Sequence, residues 1–201
     1  MKSNKLHSDK KKTIIKDYNL SFQYYDRRYQ EIQLSKYKRF YKSVQIQNKK
    51  VLDAGCGTGL LLEHIFQKKD SKDSLRFVYT GVDISKNMLR MFQMKLKKLG
   101  MFSFINLILG DVENLPFREN TFDEIFSITV FQNLTDKGKA LEDLTWSGKK
   151  KFSFILSILK RDSGVEKFKT IITEKFKNYS LDANSHLEDI IFSGKMIKNE
   201  N

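Results

Sequence analysis

The chain has 201 residues, 40% of them hydrophobic and including 16 Phe and 8 Tyr, which suits one globular domain with a substantial core and excludes a disordered polymer. No apolar run reaches the roughly 18 residues of a membrane span, and the opening residues lack the apolar stretch of a signal peptide. A single cysteine, Cys56, excludes an internal disulfide, and three scattered histidines (His7, His64, His186) give no metal-ligand spacing, so a cytoplasmic, metal-free protein is expected.

The net charge of +13 reads either as a lysine-rich solvated surface or as attraction to a polyanion such as RNA or an acidic protein. Residues 1–12 read as a flexible basic tail and 13–201 as one domain, with a helical cap over 13–45 and an α/β core over 46–201.

From Thr13 to Ser43, apolar and aromatic residues recur at helical intervals (Ile14, Tyr18, Phe22, Tyr25, Tyr29, Ile32, Tyr37, Phe40), predicting one or two amphipathic helices. "KKVLDAG" reads as a buried strand ending in a turn, "LLLEHIFQK" as a helix and "RFVYTGVD" as a strand. The next helix, "SKNMLRMFQMKLKKLG", has Ser85 as its expected N-cap and Gly100 just past its end. Then come a strand in "FINLILG", a strand in "FDEIFSITVF" and a helix in "DKGKALEDLTWS". "KKFSFILSIL" reads as a strand, "VEKFKTIITEKFKN" as a helix and "HLEDIIFSGKMI" as a last strand or hairpin. This alternation predicts a doubly wound, mostly parallel sheet whose strands are buried on both faces. Such a sheet binds its ligand at the carboxyl ends of its strands, here after Leu52, Val82, Leu109 and Ile128.

Asp53-Ala54-Gly55-Cys56-Gly57-Thr58-Gly59 follows the first strand, where glycines allow close approach of a ligand to bare backbone. A dinucleotide fingerprint needs its third glycine at position 60, which is Leu60, and no G-K-[ST] follows to make a phosphate loop. Asp53 beside the loop would repel a pyrophosphate and suit an ammonium group. At the second strand end, Asp83 can accept both hydroxyls of a ribose, with Ile84 placed against an adenine face. At the third, Asp111 can take an exocyclic amine while the Val112 N–H faces a ring nitrogen. Cys56, a small residue inside the turn, reads as structural.

The stretches Val51–Gly59, Gly81–Leu89, Gly110–Phe117 and Phe122–Leu134 resemble the successive motifs of class I S-adenosylmethionine-dependent methyltransferases, closest to the ubiquinone/menaquinone-type methylases. The resemblance runs from about residue 13 to 195. It implies a Rossmann-like three-layer sandwich with a seven-stranded sheet, the last strand antiparallel. It implies S-adenosyl-L-methionine as cofactor: Gly55, Cys56, Gly57 and Gly59 along its methionine part, Asp53 by its ammonium group, and Asp83 on the ribose. Ile84, Asp111 and Val112 would frame the adenine, and Thr129 would lie near the reacting methyl. "YNLSFQYYDRRY" is similar to that group's N-terminal helix, whose Tyr-Asp pair, here Tyr25-Asp26, helps cover the cofactor.

The chain departs from the family at Ser147-Gly148-Lys149-Lys150, where a Pro-Gly-Gly turn is common, and at Phe131-Gln132-Asn133, where many relatives carry paired histidines. The second departure bears on substrate chemistry. Tyr25, Tyr29, Gln132 and Asn133 are candidates for lining the acceptor pocket. A small-molecule acceptor is expected, with an RNA or protein acceptor, or a non-catalytic cofactor-binding role, as alternatives.

Overall fold

A computed structural model describes residues 2–68, 76–100 and 104–198. One continuous helix, α1 (Lys2–Phe40), opens the chain, followed by a short 3-10 turn at Tyr41–Ser43. The tail expected over 1–12 therefore lies, from Lys2 onward, inside this helix. The physical reason is visible at Lys10 and Lys11, which find partners on the core: Lys10 Nζ donates to the Leu134 carbonyl at 2.9 Å and Lys11 Nζ to Asp111 at 2.6 Å.

The remaining elements alternate as the hydrophobic pattern predicts: β1 (Lys50–Ala54), α2 (Leu60–Gln67), β2 (Val78–Asp83), α3 (Lys86–Leu99), β3 (Ile105–Leu109) and β4 (Phe122–Ser127). Then follow α4 (Lys137–Ser147), β5 (Gly148–Leu159), α5 (Val165–Lys175), β6 (Tyr179–Asp182) and β7 (Asp189–Ile197). The Ser85 hydroxyl caps α3 by accepting from Met88 N at 3.2 Å, and Gly100 ends it with φ +67°.

Seven strands form one sheet in the order β3-β2-β1-β4-β5-β7-β6. β7 runs antiparallel to both β5 and β6, and the other pairs are parallel. Alternate strand residues divide between two cores. Val51, Phe126, Ile155 and Ile191 pack with Tyr37 of α1, Leu61 of α2 and Phe92 of α3. Leu52, Ile125, Leu156 and Phe192 pack with Leu141 of α4 and Phe168 of α5 on the opposite face. The result is a three-layer sandwich, in which fully burying a side chain such as Phe126 or Phe192 contributes about 1.5–3 kcal/mol.

Four features differ from the sequence reading. β3 is an edge strand and half exposed, so burial on both faces holds only for the inner strands. "HLEDIIFSGKMI" forms one strand, and its hairpin partner is the four-residue β6, which the preceding helical pattern obscured. β4 stops at Ser127; Thr129 has φ +60° and a 3-10 turn follows at Phe131–Asn133. Finally, α4 passes directly into β5 at Ser147-Gly148 with no intervening turn.

Candidate active site

The carboxyl ends of β1, β2 and β4 converge beneath α1. The turn after β1 is pinned by two N–H groups, those of Gly55 and Cys56, donating to the Val82 carbonyl at 2.7 and 3.0 Å. Gly57 has φ +53°, and a Cβ built on it meets nothing within 4 Å, so the backbone faces open space. Asp83 braces the same turn: its Oδ2 accepts from Gly57 N at 2.9 Å and its Oδ1 from Ser85 N at 2.8 Å. Burial pushes the Asp83 carboxyl up to about 6, with those two N–H groups opposing.

A cavity of about 680 Å³ opens here, lined by Gly55, Gly57, Asp83, Ile84, Asp111, Val112 and Thr129. A smaller compartment of about 330 Å³ adjoins it across the glycine turn and is lined by Asp53 and Cys56. Tyr25, Gly55, Gly57 and Ile128 belong to both spaces. Asp53 thus sits apart from the main cavity. Burial pushes its carboxyl up to about 7, opposed by the hydroxyl that Tyr79 donates to it. Gly59 lines neither space; it begins α2 and packs on Phe92. Cys56 is buried, with its Sγ 2.8 Å from where a Cβ on Gly81 would lie, in keeping with a packing role.

A third chamber, of about 1010 Å³, lies on the other side of Thr129 and brings together Tyr25, Tyr29, Gln132 and Asn133. It shares Ile14, Tyr18, Tyr25, Thr129 and Asn133 with the main cavity. Asn133 Nδ2 donates to the Tyr18 hydroxyl at 2.8 Å. The rings of Tyr25 and Tyr29 stand 4.8 Å apart. Burial raises the pKa of Tyr18 and of Tyr25, so both remain neutral phenols. Asp26, the other half of the Tyr-Asp pair, accepts from the Thr58 hydroxyl and pairs with Lys95 at 2.6 Å, fixing α1 to the glycine turn and α3.

Several residues that the sequence did not single out complete the site. Lys11 joins Asp111, at 2.6 Å, to Glu113 at the cavity wall. Burial works against ionisation of Glu113, but Lys11 together with donors from Thr135 and Asp136 outweighs it and lowers its pKa. Behind Thr129 lies a buried pair, Lys36 and Asp189, at 2.7 Å with 1% and 0% of their side chains exposed. Asp189 also accepts from the Thr129 and Ser157 hydroxyls at 2.9 and 2.7 Å, and Ser157 Oγ accepts from Thr129 N at 2.7 Å. This network holds the left-handed Thr129 backbone, a strained state for a β-branched residue, at the junction of the two larger spaces.

Residues 52–149 match the protein family described as a methyltransferase domain. Over 81 residues the chain is 40% identical to the biotin biosynthesis bifunctional protein BioHC of Teredinibacter turnerae, covering 40% of this chain and 14% of that protein. Over 102 residues it is 36% identical to the ubiquinone/menaquinone biosynthesis C-methyltransferase UbiE of Haemophilus ducreyi, covering 49% of this chain and 36% of that protein. The chain therefore spans well under half the length of these curated relatives. Among solved structures, the magnesium protoporphyrin IX methyltransferase ChlM of Synechocystis with bound SAM shares the fold. Its TM-score is 0.70 at 16% identity, covering 93% of this chain and 97% of that one.

Proposed function

Starting from the chain's membership of the class I S-adenosylmethionine-dependent methyltransferase family, we propose that it binds S-adenosylmethionine around Asp83 and transfers the methyl group to a small-molecule acceptor. The observation that carries this reading is the junction at Thr129, where the cavity holding Asp83 meets the tyrosine-lined chamber. A cofactor site and an acceptor site must touch at one point for a direct transfer, and these two spaces do.

The residues present fit the cofactor. Asp83 is a nearly buried carboxylate in the cavity wall, suited to two ribose hydroxyls. Ile84, Met88, Val112 and Leu134 offer an apolar slot for adenine, with Asp111 beside it for the exocyclic amine. Asp53, in the smaller compartment across the glycine turn, suits the ammonium of the amino acid end. When bound, S-adenosylmethionine supplies a methyl group on a positively charged sulfur, already activated for displacement.

The chain's own work is then to orient the acceptor, exclude water and hold the two chambers in register. Orientation alone can supply a large part of the barrier reduction, roughly 7–11 kcal/mol in well-aligned systems. α1 closes the site from above: Asn19 Oδ1 accepts from the Ser85 hydroxyl at 2.8 Å, and Asn87 Nδ2 donates to the Asn19 carbonyl at 2.9 Å. Gln132 and Asn133 stand where many relatives place histidines, so proton removal by a ring nitrogen at that point is not part of this scheme. The tyrosine and amide lining of the chamber (Tyr18, Tyr25, Tyr29, Gln132 and Asn133) supports a small acceptor over RNA or protein, despite the charge of +13.

Calorimetry with S-adenosylhomocysteine tests the reading. Wild-type protein binds it, and Asp83→Ala weakens binding by at least about tenfold, or 1.4 kcal/mol. Absence of binding, or binding indifferent to Asp83→Ala, overturns the proposal. Release of S-adenosylhomocysteine on a panel of metabolites, and none on RNA, would separate the small-molecule acceptor from its rival.

A further inference from the structure

Among the described residues, three other than glycine have a positive φ: Asn48, Asn120 and Thr129. Asparagine tolerates that backbone, whereas a β-branched residue is strained in it. Thr129, at φ +60°, is held there by side chains from three elements far apart in the chain. Ser157 of β5 accepts from its N–H at 2.7 Å, and Asp189 at the start of β7 accepts from its hydroxyl at 2.9 Å. Lys36 of α1 donates to the same hydroxyl oxygen at 2.7 Å. The Ser157 hydroxyl closes the ring by donating to Asp189 at 2.7 Å. Lys36 has no lone pair, and Asp189, paired with it, only accepts, so each of these bonds has a single direction.

The strained residue faces the cofactor side. The chain reverses at Thr129 and lays Val130 on the glycine turn: a Cβ built on Gly55 would lie 2.2 Å from Val130 Cγ2. Ile128, Thr129 and Val130 line the same cavity as Gly55 and Asp83, while Lys36, Ser157 and Asp189 do not line it. These three side chains therefore meet the cavity only through residue 129. Glycine would take the left-handed backbone without strain, but it would offer Lys36 and Asp189 no hydroxyl. A strained conformation persists only where its surroundings over-determine it, and here the surroundings are this ring of bonds.

We propose that Lys36, Ser157 and Asp189 are positioning residues for the cofactor cavity. They hold the Thr129 backbone against its own preference, and so keep Val130 on the Gly55 turn in the shape that binds S-adenosylmethionine. This inference rests on the cofactor reading above and extends it to three residues outside the cavity. Released from them, Thr129 relaxes toward negative φ, and restoring the binding shape then consumes part of the affinity.

The test is calorimetry with S-adenosylhomocysteine on the full chain, arranged as a cycle between Ser157 and Thr129. Ser157→Ala removes the acceptor of the Thr129 N–H and weakens binding about tenfold. In a Thr129→Gly background the same substitution changes the affinity by about twofold or less, because glycine adopts the left-handed backbone unaided. The double variant nevertheless melts no higher than Ser157→Ala, since glycine restores no hydrogen bond and loosens the unfolded chain. Affinity and stability thus part, which a purely structural role for Ser157 would not produce. At position 129 itself, Thr129→Ser keeps the hydroxyl and binds at least about threefold more tightly than Thr129→Val, which keeps only the branched shape. Where Ser157→Ala does not fold, this second comparison decides. Equal losses from Ser157→Ala in both backgrounds, no loss in either, or equal affinity of Thr129→Ser and Thr129→Val overturns the proposal and spares the cofactor reading. Failure of S-adenosylhomocysteine to bind the wild type overturns both.

Discussion

Phe92 fills the space that a side chain at Gly59 would need: a Cβ built there lies 2.2 Å from the Phe92 ring. Gly59 also has φ +80°, outside the comfortable range of other residues. Gly57, two residues earlier, has φ +53° and open space where its Cβ would be. The two glycines therefore answer to different demands, one to packing and one to the cavity. Gly59→Ala should destabilise the fold by about 2–4 kcal/mol, combining backbone strain with overpacking. Gly57→Ala should cost only about 1–2 kcal/mol, from its left-handed backbone alone, and yet weaken S-adenosylhomocysteine binding about tenfold, since its methyl enters the cavity. Thermal unfolding and calorimetry on both variants check the pair; matching losses in both would contradict the division.

Asp53 makes stability depend on pH with a definite sign. Burial holds its folded-state pKa at about 7, while in the unfolded chain it titrates near 4. Between those values the folded protein keeps a proton that the unfolded chain has released, so stability falls as pH rises through this window. Asp53→Asn keeps an acceptor for the Tyr79 hydroxyl and removes the charge. The variant should exceed the wild type in stability by roughly 2–4 kcal/mol near pH 8 and match it near pH 4. Urea midpoints at the two pH values decide it. A stability difference independent of pH would show that the Asp53 charge is not its source.

Much of this arrangement was legible because it is local. Strands that end one residue past Asp53, at Asp83 and two residues before Asp111, each followed by a turn, can be read within a few positions, as can the Ser85 cap and the Gly100 stop. What was not legible depends on contacts between distant parts of the chain. Lys36 and Thr129 are 93 residues apart, and Lys11 and Asp111 are 100 apart, so no local pattern reports them. Lys11 looked like one more tail lysine until Asp111 and Glu113 gave it partners. The four residues of β6 carry too short an alternation to stand out against the end of α5.

The Lys36–Asp189 pair lends itself to a double-mutant cycle. Both side chains are essentially inaccessible, and removing one leaves the other charge buried and unpaired, at a cost of about 3–5 kcal/mol. Lys36→Met and Asp189→Asn should each show losses of that order in urea unfolding. Together they should lose less than the sum, with a coupling of at least about 1.5 kcal/mol. Additive losses would mean that the two groups stabilise α1 and β7 independently.

Lys11 provides the last test, one of kinetics rather than stability. It ties the first turns of α1 to Asp111 and Glu113 across the mouth of the main cavity, with about a quarter of its side chain exposed (27%). Asp111 is partly exposed but Glu113 is buried, and Thr135 and Asp136 still donate to it, so Lys11→Met should lower stability by only about 1–2 kcal/mol. The tether, however, must part for a ligand to enter or leave beneath α1. Its loss should speed both association and dissociation of S-adenosylhomocysteine by about three- to tenfold while the equilibrium affinity shifts by about threefold or less. Stopped-flow binding measures both rates. Unchanged rates would show that the ligand passes elsewhere, and a changed affinity with a constant on-rate would make Lys11 a ligand contact instead of a gate.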